Sequence, residues 1–451
     1  MTVTENPYLA GNFAPVDDEV TAFDLPVTGE LPRELSGRLL RIGPNPVGVA
    51  DPLQHHWFVG SGMVHGLRIR DGRAEWYRNR FVRDEIVGAV KGWPEIPGPR
   101  HGMGANVANT NVIAHAGRTW AIVEAGGLPV ELTDELETVA RSNFDGSLPG
   151  SFTAHPKRDP QTGELHAVVY YWEWDYLEYV VVGTDGRVRK VVDVPVPGKP
   201  MVHDCAITET QVLLFDLPVT FDLEVAMQGQ PLPYRWDPDY GARVGVLPLD
   251  GDAADVRWCE LDELLYTYHP LNAYDAGDGT VVLDTVVHPK MFAADVRGPN
   301  EGPPVLERWT LDPAAGKVRR ELLSDREQEF PRMHEGLIGR RHRYGYGAEF
   351  LTSHDGVRLG SLLKHDVDRI TTDVHDVGPG RAAMEPVFVP RAGATAEDDG
   401  WVLSYVHDAT RDACDVVVLD AQDFAAAPVA TVHLPARVPF GFHGNWVPDE
   451  G

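Results

Sequence analysis

Histidine is the residue type in this sequence best suited to hold a metal ion, and the chain contains 18 of them. None lies in an H-E-x-x-H motif or in the Cys/His spacing typical of zinc sites. Four lie among small, aromatic or apolar neighbours, which favours rings that point inward. A buried imidazole that stays neutral keeps the lone pair with which it binds a metal. The four candidate ligands are His155, His203, His269 and His443.

The local context of each candidate carries this choice, because spacing alone does not single out four histidines from 18. His155 lies in GSFTAHPKRDP, and His203 lies in KPMVHDCAIT, directly before the apolar run QVLLFDLPV. His269 lies in YTYHPLNAYD, and His443 lies in VPFGFHGNWVP. Imidazole suits iron, zinc, copper and nickel, so the ligand type does not select the metal.

The elements that must position these residues read as short strands separated by glycine turns. Examples are GLRIRDGRAEWYRNR (66–80), VIAHAGRTWAIVE (112–124) and DAGDGTVVLDTVV (275–287). D-G and A-G pairs fit tight hairpin turns, because glycine reaches positive φ at little cost. The clearest helical signal is TDELETVAR (133–141), in which Asp134 is a candidate N-cap. No parallel β–α–β unit is apparent.

Many hairpins without a linker predict an all-β chain that forms a single β-propeller domain over residues 1–451. No sequence repeat marks the blades. The inner strands of a propeller converge on one axis, so residues far apart in the chain can face one shared centre. A metal site on this fold should therefore have ligands that are spread along the sequence.

Composition excludes several classes of function. The formal net charge of −28 repels nucleic-acid phosphates and anionic membranes. The sequence contains no run of about eighteen apolar residues, so it predicts no membrane-spanning helix. The N-terminal sequence lacks a secretory signal pattern, so we expect a cytoplasmic location. The three cysteines are widely spaced and form neither a zinc motif nor a disulfide framework.

Several ordered motifs resemble those of the carotenoid cleavage oxygenase family over essentially the whole chain. They include RIGPNP (41–46), HHWFVGSGMVHGLRI (55–69), NTNVIAHAGRTWAIVEAGGLPVELTDELETV (109–139) and the four histidine segments. The chain is most similar to the bacterial branch that cleaves carotenoids and apocarotenoids. The resemblance implies a seven-bladed propeller, with short helices and loops capping the face that contains iron. It also implies one Fe(2+) per chain, held by the four histidines.

The same resemblance assigns three glutamates as partners of the ligands: Glu124 in AIVEAGG, Glu329 in QEFPR and Glu385 in MEPVFVP. A carboxylate that accepts the free N–H of a ligating imidazole fixes its tautomer and ring angle and makes it more basic. Which glutamate serves which histidine stays open. The implied reaction adds both atoms of O₂ across a double bond and gives two carbonyl products.

An apolar polyene substrate needs a wall of aromatic and aliphatic side chains. The preferred candidates are Phe58, Trp172 and Phe221. Ordinary packing is the more common role for the other candidates, which are Met63, Trp93, Met103, Phe152, Tyr171 and Trp174.

The alternative substrate class is a phenolic stilbene or phenylpropene. Relatives that cleave lignostilbenes carry a lysine directly before the first of the glutamates and a tyrosine upstream, both of which bind the phenol. Here Val123 precedes Glu124, and no tyrosine occurs between Tyr77 and Tyr170. These differences favour a carotenoid or apocarotenoid.

Contact with membranes is expected to be transient. The stretch 204–268 contains the weakly apolar LEVAMQGQPLPYRW instead of the long apolar insertion of members that enter membranes. We expect O₂ and an apolar polyene as partners, no nucleic acid, and leave the oligomeric state open.

Overall fold

The computed structural model describes residues 6–102, 106–353 and 356–449, which form 33 strands. The strands of the first half of the chain are β1 (Thr21–Phe23), β2 (Val27–Gly29), β3 (Gly37–Pro44), β4 (Gly62–Arg70), β5 (Arg73–Phe81), β6 (Asn111–His115), β7 (Arg118–Ile122), β8 (Val130–Leu132), β9 (Thr138–Arg141), β10 (Lys157–Arg158), β11 (Leu165–Val169), β12 (Tyr176–Val182), β13 (Val188–Pro195), β14 (Ala206–Ile207), β15 (Gln211–Asp216), β16 (Val219–Phe221) and β17 (Tyr234–Trp236).

The strands of the second half are β18 (Arg243–Pro248), β19 (Arg257–Glu260), β20 (Pro270–Asp275), β21 (Val281–Val287), β22 (Val305–Asp312), β23 (Lys317–Ser324), β24 (Gln328–Arg332), β25 (Tyr344–Ser353), β26 (Gly356–Asp366), β27 (Thr371–His375), β28 (Arg381–Ala383), β29 (Val387–Pro390), β30 (Gly400–Asp408), β31 (Ala413–Asp420), β32 (Ala430–His433) and β33 (Gly444–Pro448).

Helices are short and few in the described ranges. The α-helices are α1 (Glu85–Lys91) and α2 (Leu223–Met227). The 3₁₀ turns are Pro7–Leu9, Gly11–Phe13, Pro52–Gln54, Ala253–Asp255, Glu335–Leu337 and Ala421–Asp423. The all-β prediction is therefore confirmed.

The hairpin turns follow the predicted chemistry. Asp71 and Gly72 join β4 to β5 with φ of 51° and 72°, and Ala116 and Gly117 join β6 to β7 with φ of 53° and 71°. Two consecutive residues at positive φ give the turn whose twist matches that of paired strands. The D-G and A-G pairs thus mark real hairpins.

The helix expected over residues 133–141 is wrong. Leu136 adopts a left-handed φ of 72°, and β9 occupies Thr138–Arg141 as the outer strand beside β8. Asp134 caps no helix there but forms an ion pair with Arg38 at 3.0 Å. Pairing with the sheet outweighs the weak local preference for a helix.

The strands form a propeller-like ring of sheets. Their strand orders are β1-β5-β4-β3-β33, β6-β7-β8-β9, β10-β11-β12-β13, β14-β15-β18-β19-β23-β22-β21-β20, β24-β25-β26-β27 and β2-β32-β31-β30-β28, with β29 also on β30 and a separate β16-β17 ribbon. The strand β3 near the start of the chain pairs with β33, and β2 pairs with β32. These pairings close the ring.

Buried aliphatic and aromatic side chains fill the spaces between sheets. All seven residues of β21 are buried, and Trp309 of β22 is fully buried. Burying such a side chain contributes about 1.5–3 kcal/mol, so the packing between sheets stabilises the frame that carries the inner strands. The strands β6, β10, β14, β20, β24 and β33 surround an axial cavity of about 1180 Å³.

Candidate metal centre

The four predicted ligands meet at one point, although they are far apart in the chain, from His155 to His443. All four side chains are buried, and one ring nitrogen of each lies within 4.8 Å of the others. The Nε2 atom of His203 is 3.0 Å from the Nε2 atoms of both His155 and His269. Four imidazole nitrogens thus face a common volume.

The histidines share one position in the fold. Each lies one to three residues before an inner strand: His155 before β10, His203 before β14, His269 before β20 and His443 before β33. The start of each of these inner strands is where the chain reaches the axis of the ring. This explains how sequence-distant residues converge, as the propeller prediction required.

Three of the rings are held by glutamates, and the structure resolves the pairing that the sequence left open. His203 Nδ1 is 2.7 Å from Glu124 Oε1, and His269 Nδ1 is 2.7 Å from Glu329 Oε2. His443 Nδ1 is 2.8 Å from Glu385 Oε1. A proton on Nδ1 that is donated to a carboxylate leaves the Nε2 lone pair free to face the common volume.

The glutamates have partners that sequence reasoning missed. The Tyr170 hydroxyl donates to Glu124 Oε2 at 3.1 Å, and His288 Nε2 lies 2.5 Å from Glu329 Oε1. Arg332 Nη1 lies 3.3 Å from Glu385 Oε2. Tyr170 and His288 lie outside the quoted motifs and Arg332 ends QEFPR, but only the fold pairs these residues with the glutamates.

Backbone groups complete the hold on two of the carboxylates. The Gly444 N–H donates to Glu385 Oε2 at 2.7 Å. The Phe330 N–H donates to Glu329 Oε2 at 2.9 Å from a left-handed conformation with φ of 59°. A left-handed aromatic residue is uncommon and marks a locally strained backbone. At Phe330 that backbone fixes the carboxylate that orients His269.

The fourth ring, His155, has a different neighbour. Its Nδ1 lies 3.6 Å from Asp204 Oδ2, beyond ordinary hydrogen-bond distance. Asp204 is itself paired with Lys157, whose Nζ is 2.8 Å away. His155 is therefore the one ring of the four without a glutamate.

Burial and charge set the protonation of the centre. Burial lowers the pKa of His443 to about 3 and lowers that of His155 well below its usual value, with neighbouring imidazoles adding to the effect. Burial alone would raise the pKa of Glu385, but Arg332 and His443 outweigh it and lower the pKa to about 2. His155 and His443 are thus neutral beside an ionised Glu385, whereas at His203 the Glu124 carboxylate outweighs burial and raises the pKa.

This donor set fits a divalent transition metal. Imidazole nitrogen suits iron, zinc, copper and nickel. The nearby carboxylates of Glu124, Glu329 and Glu385 offset the positive charge that such an ion would bring into a buried site. The four residues that would hold it are the predicted His155, His203, His269 and His443.

Aromatic rings lie against one side of the histidine cluster. Phe58 is 5.8 Å from Tyr268 and 5.4 Å from Phe442, centroid to centroid. Both partners are chain neighbours of a histidine, His269 and His443 respectively. The predicted wall residue Phe58 therefore lies one layer away from the centre.

The other two preferred wall residues lie in a row that runs outward. Trp172 is 36% exposed and stacks on Phe221 at 5.2 Å. Phe221 is 6.0 Å from Tyr234, which is 6.1 Å from Tyr170, the partner of Glu124. An aromatic row thus connects the surface with the centre.

The remaining wall candidates take structural positions. Met63 packs with Phe81, and Phe152 packs with Phe144 in separate buried clusters. The list is completed by Trp93 near Phe81, and by Tyr171 and Trp174 near His101. Met103 lies outside the described residues.

The axial cavity lies on another side of the cluster and is polar. His155, His269 and His443 line it together with ion pairs such as Arg38–Asp134 and Arg68–Asp449. The Asp134 side chain is 77% exposed, so the cavity extends from the centre to the surface. A polar route and an aromatic row thus approach the same four rings.

No helix within the described ranges is long and apolar enough to cross a membrane.

Comparison with known proteins identifies the family. The family described as retinal pigment epithelial membrane protein (RPE65) matches residues 13–448. The chain belongs to this family, which is the carotenoid oxygenase family that the sequence motifs indicated.

Particular relatives are similar along their whole length. A carotenoid cleavage oxygenase of Mycobacterium tuberculosis is 46% identical over 99% of this chain and 98% of its own length. The crystal structure of a Pseudomonas brassicacearum lignostilbene dioxygenase has a TM-score of 0.88 and 30% identity, covering 99% of this chain and 100% of that one. A cobalt-substituted Synechocystis apocarotenoid oxygenase (ACO) has a TM-score of 0.84 and 28% identity, covering 96% of this chain and 97% of that one.

Proposed function

We propose that this protein is a non-haem iron(II) dioxygenase that cleaves a C=C double bond of a carotenoid or apocarotenoid with O₂, giving two carbonyl products. The observation that carries the proposal is the convergence of four buried imidazole nitrogens within 4.8 Å in a member of the carotenoid oxygenase family. The 46% identity to a carotenoid cleavage oxygenase supports the reaction class.

The proposed ligand set is His155, His203, His269 and His443, with one Fe(2+) per chain. Four ligands leave coordination positions open. When bound, iron supplies the redox chemistry that activates O₂, which zinc lacks. Glu124, Glu329 and Glu385 keep three rings in one tautomer, so their lone pairs stay available to the ion.

The residues around the centre divide the remaining work. The rings of Phe58, Tyr268 and Phe442 exclude water and give a polyene an apolar surface beside the ligands. Trp172 and Phe221 guide the substrate inward along the aromatic row. No side-chain nucleophile is required.

The apolar Val123 beside Glu124 favours the polyene over the alternative class, a phenolic stilbene or phenylpropene. A buried phenolate needs a cation or a hydrogen-bond donor at its oxygen. Because the structure is similar to that of a lignostilbene dioxygenase, stilbenes are the comparison substrates in any assay.

The decisive experiment loads the protein with Fe(II) without oxygen and then supplies ¹⁸O₂ with carotenoids, apocarotenoids and stilbenes. We expect about one iron per chain and labelled carbonyl products from the polyenes, detected by mass spectrometry. Labelled products from stilbenes alone would replace the polyene with the alternative substrate class. Products without label would point to Lewis-acid chemistry, and unchanged polyenes and stilbenes would contradict the enzyme reading.

We also propose that the ring has seven blades and that residues 1–451 form one domain. The eight-stranded sheet is joined in its middle by one parallel bridge, Glu260 to Lys317. Divided there, it gives two four-stranded blades beside five other sheets of four or more strands. The pairing of β3 with β33 favours a single closed unit.

The proposed setting is the cytoplasm, with transient contact at a membrane surface. Leu223 and Met227 of α2 are 61% and 81% exposed, and Leu53 is 54% exposed. Gln230 and Gln54 join the two segments at 3.3 Å. These apolar side chains would favour collection of an apolar substrate from lipid.

A further inference from the structure

We propose that Asp204 is a positioning residue for His155, and that Lys157 sets how strongly Asp204 acts on that ring. This inference rests on the metal centre of the proposed function and extends it to the one ring that lacks a glutamate. It is carried by the placement of a fixed, buried carboxylate beside the free side of His155.

The carboxylate is fixed from two directions. Lys157 Nζ lies 2.8 Å from each oxygen of Asp204, and the Cys205 N–H donates to Asp204 Oδ1 at 2.6 Å. The Asp204 side chain is only 2% exposed. A buried charge held in this way does not turn away to solvent, so its direction is part of the structure.

The direction of Asp204 matches that of the three glutamates. The nitrogen that faces it is His155 Nδ1, and Nδ1 is also the atom that the glutamates contact on the other rings. The Nε2 atom of His155 faces the other rings. Asp204 therefore favours the same tautomer, with the proton on Nδ1 and the lone pair on Nε2.

The strength of this hold differs from that of the other three. The separation is 3.6 Å, compared with 2.7–2.8 Å for the glutamates, which weakens the contact or leaves it to a bridging water. Lys157 also neutralises the carboxylate. Both effects make His155 a weaker donor than its three counterparts.

The weaker hold on His155 matters because this ring faces the axial cavity. His155, Lys157 and Asp204 all line the polar axial cavity that extends to the surface. The least firmly oriented ligand thus faces the route that water can take. We infer that exchange of the metal begins at His155, and that Asp204 and Lys157 oppose each other in setting its rate.

The test measures release of Co²⁺ from the loaded protein to excess EDTA, with the visible spectrum of the bound cobalt as a second readout. Asp204→Asn keeps the shape but loses the charge, so we expect release to be faster, by less than the roughly tenfold typical of a directly hydrogen-bonded carboxylate partner. Lys157→Met removes the neutralising cation while the Cys205 N–H still holds the carboxylate in place, so we expect release to be slower. Opposite signs are not expected of a pair with a merely structural role, in which both variants would loosen the site.

Asp216→Asn is the matched control. Asp216 is also buried and paired with a cation, Arg243, at 2.8 Å, and it belongs to β15 outside the centre. We expect its release rate and cobalt spectrum to match those of the unchanged protein. Thermal unfolding of all three variants checks that each is folded.

The outcomes separate this inference from the metal centre itself. If the unchanged protein binds no cobalt, or if His155→Ala alters neither release nor spectrum, the ligand assignment fails and this inference fails with it. If His155→Ala speeds release but folded Asp204→Asn does not, the centre stands and the positioning role is overturned. Equal signs for Asp204→Asn and Lys157→Met would also overturn it.

Discussion

The two sides of the histidine cluster differ in chemistry. One side presents the rings of Phe58, Tyr268 and Phe442, and the other opens into an axial cavity crossed by ion pairs such as Arg38–Asp134. The difference gives the apolar substrate and the polar solvent separate routes to the centre, which a single opening would not do. An apolar substrate is favoured on the aromatic side, whereas water and ions are favoured on the polar side.

Both sides of the cluster adjoin the same four rings, so removal of one ring should abolish metal binding for the whole centre. For His203→Ala we expect bound iron to fall from about one per chain to under about a tenth, because the ring contacts two other proposed ligands and Glu124. Metal analysis measures this. His433→Ala, which removes a histidine bonded to Asp415 and Thr28, should leave the iron content unchanged. Equal iron in both variants would contradict the ligand assignment.

The next effect concerns a carboxylate at the polar side. Glu385→Gln keeps the acceptor for the Gly444 N–H but removes the charge that holds His443. We expect metal affinity to fall about 10–100-fold, as for other carboxylate partners of ligating histidines. Competition with a chelator measures the affinity. A change under about threefold would show that the charge of Glu385 is not used.

Substitution of one apolar residue on each side tests which side the substrate uses. Phe58 is half-buried on the aromatic side, and Ile113 is half-buried in the wall of the axial cavity. Phe58→Ala should lower kcat/KM for the polyene by about tenfold through lost apolar contact. Ile113→Ala should stay within about twofold, since the proposed substrate route does not pass there. Steady-state kinetics on iron-loaded protein measures kcat/KM for both variants. A larger effect of Ile113→Ala than of Phe58→Ala would show that the substrate enters from the polar side.

The smallest effect compares carboxylates with and without a partner. Glu178 lies opposite Asp193 in the β12–β13 pair, and burial followed by the Asp193 charge raises its pKa to about 7, whereas the pKa of Glu385 is lowered to about 2. Since the folded pKa of Glu178 exceeds the usual acidic value, the folded state loses stability as pH rises from about 4.5 to about 7.

Glu178→Gln should therefore stabilise the fold above neutral pH by on the order of 1 kcal/mol, after allowance for solvent screening. The gain should vanish below about pH 4. Chemical denaturation at both pH values measures the free energy of unfolding. An equal gain at both pH values would mean that the benefit comes from packing and not from the charge.

Local turn chemistry and family motifs predict much of this molecule. The D-G and A-G pairs indicate hairpins because positive φ is a local requirement, as at Gly72 and Gly117. Resemblance to the family motifs predicted the four histidines and the three glutamates. In the structure, a glutamate contacts each of His203, His269 and His443.

What the sequence could not predict depends on contacts between distant residues. The pairing of Glu329 with both His269 and His288 is a property of the assembled ring, as is the position of Asp204 beside His155. The expected helix at residues 133–141 failed because pairing of Thr138–Arg141 with β8 is decided by the sheet. Blade limits have no repeat to mark them.

The closing pair of strands has a consequence for how the protein is made. His443 lies one residue before β33, and β33 is held in place by β3, some 400 residues earlier in the chain. While the polypeptide is still growing on the ribosome, the first three rings can exist without the fourth. Stable capture of the ion should therefore coincide with completion of the circle, so that uptake of metal acts as a signature of correctly finished folding.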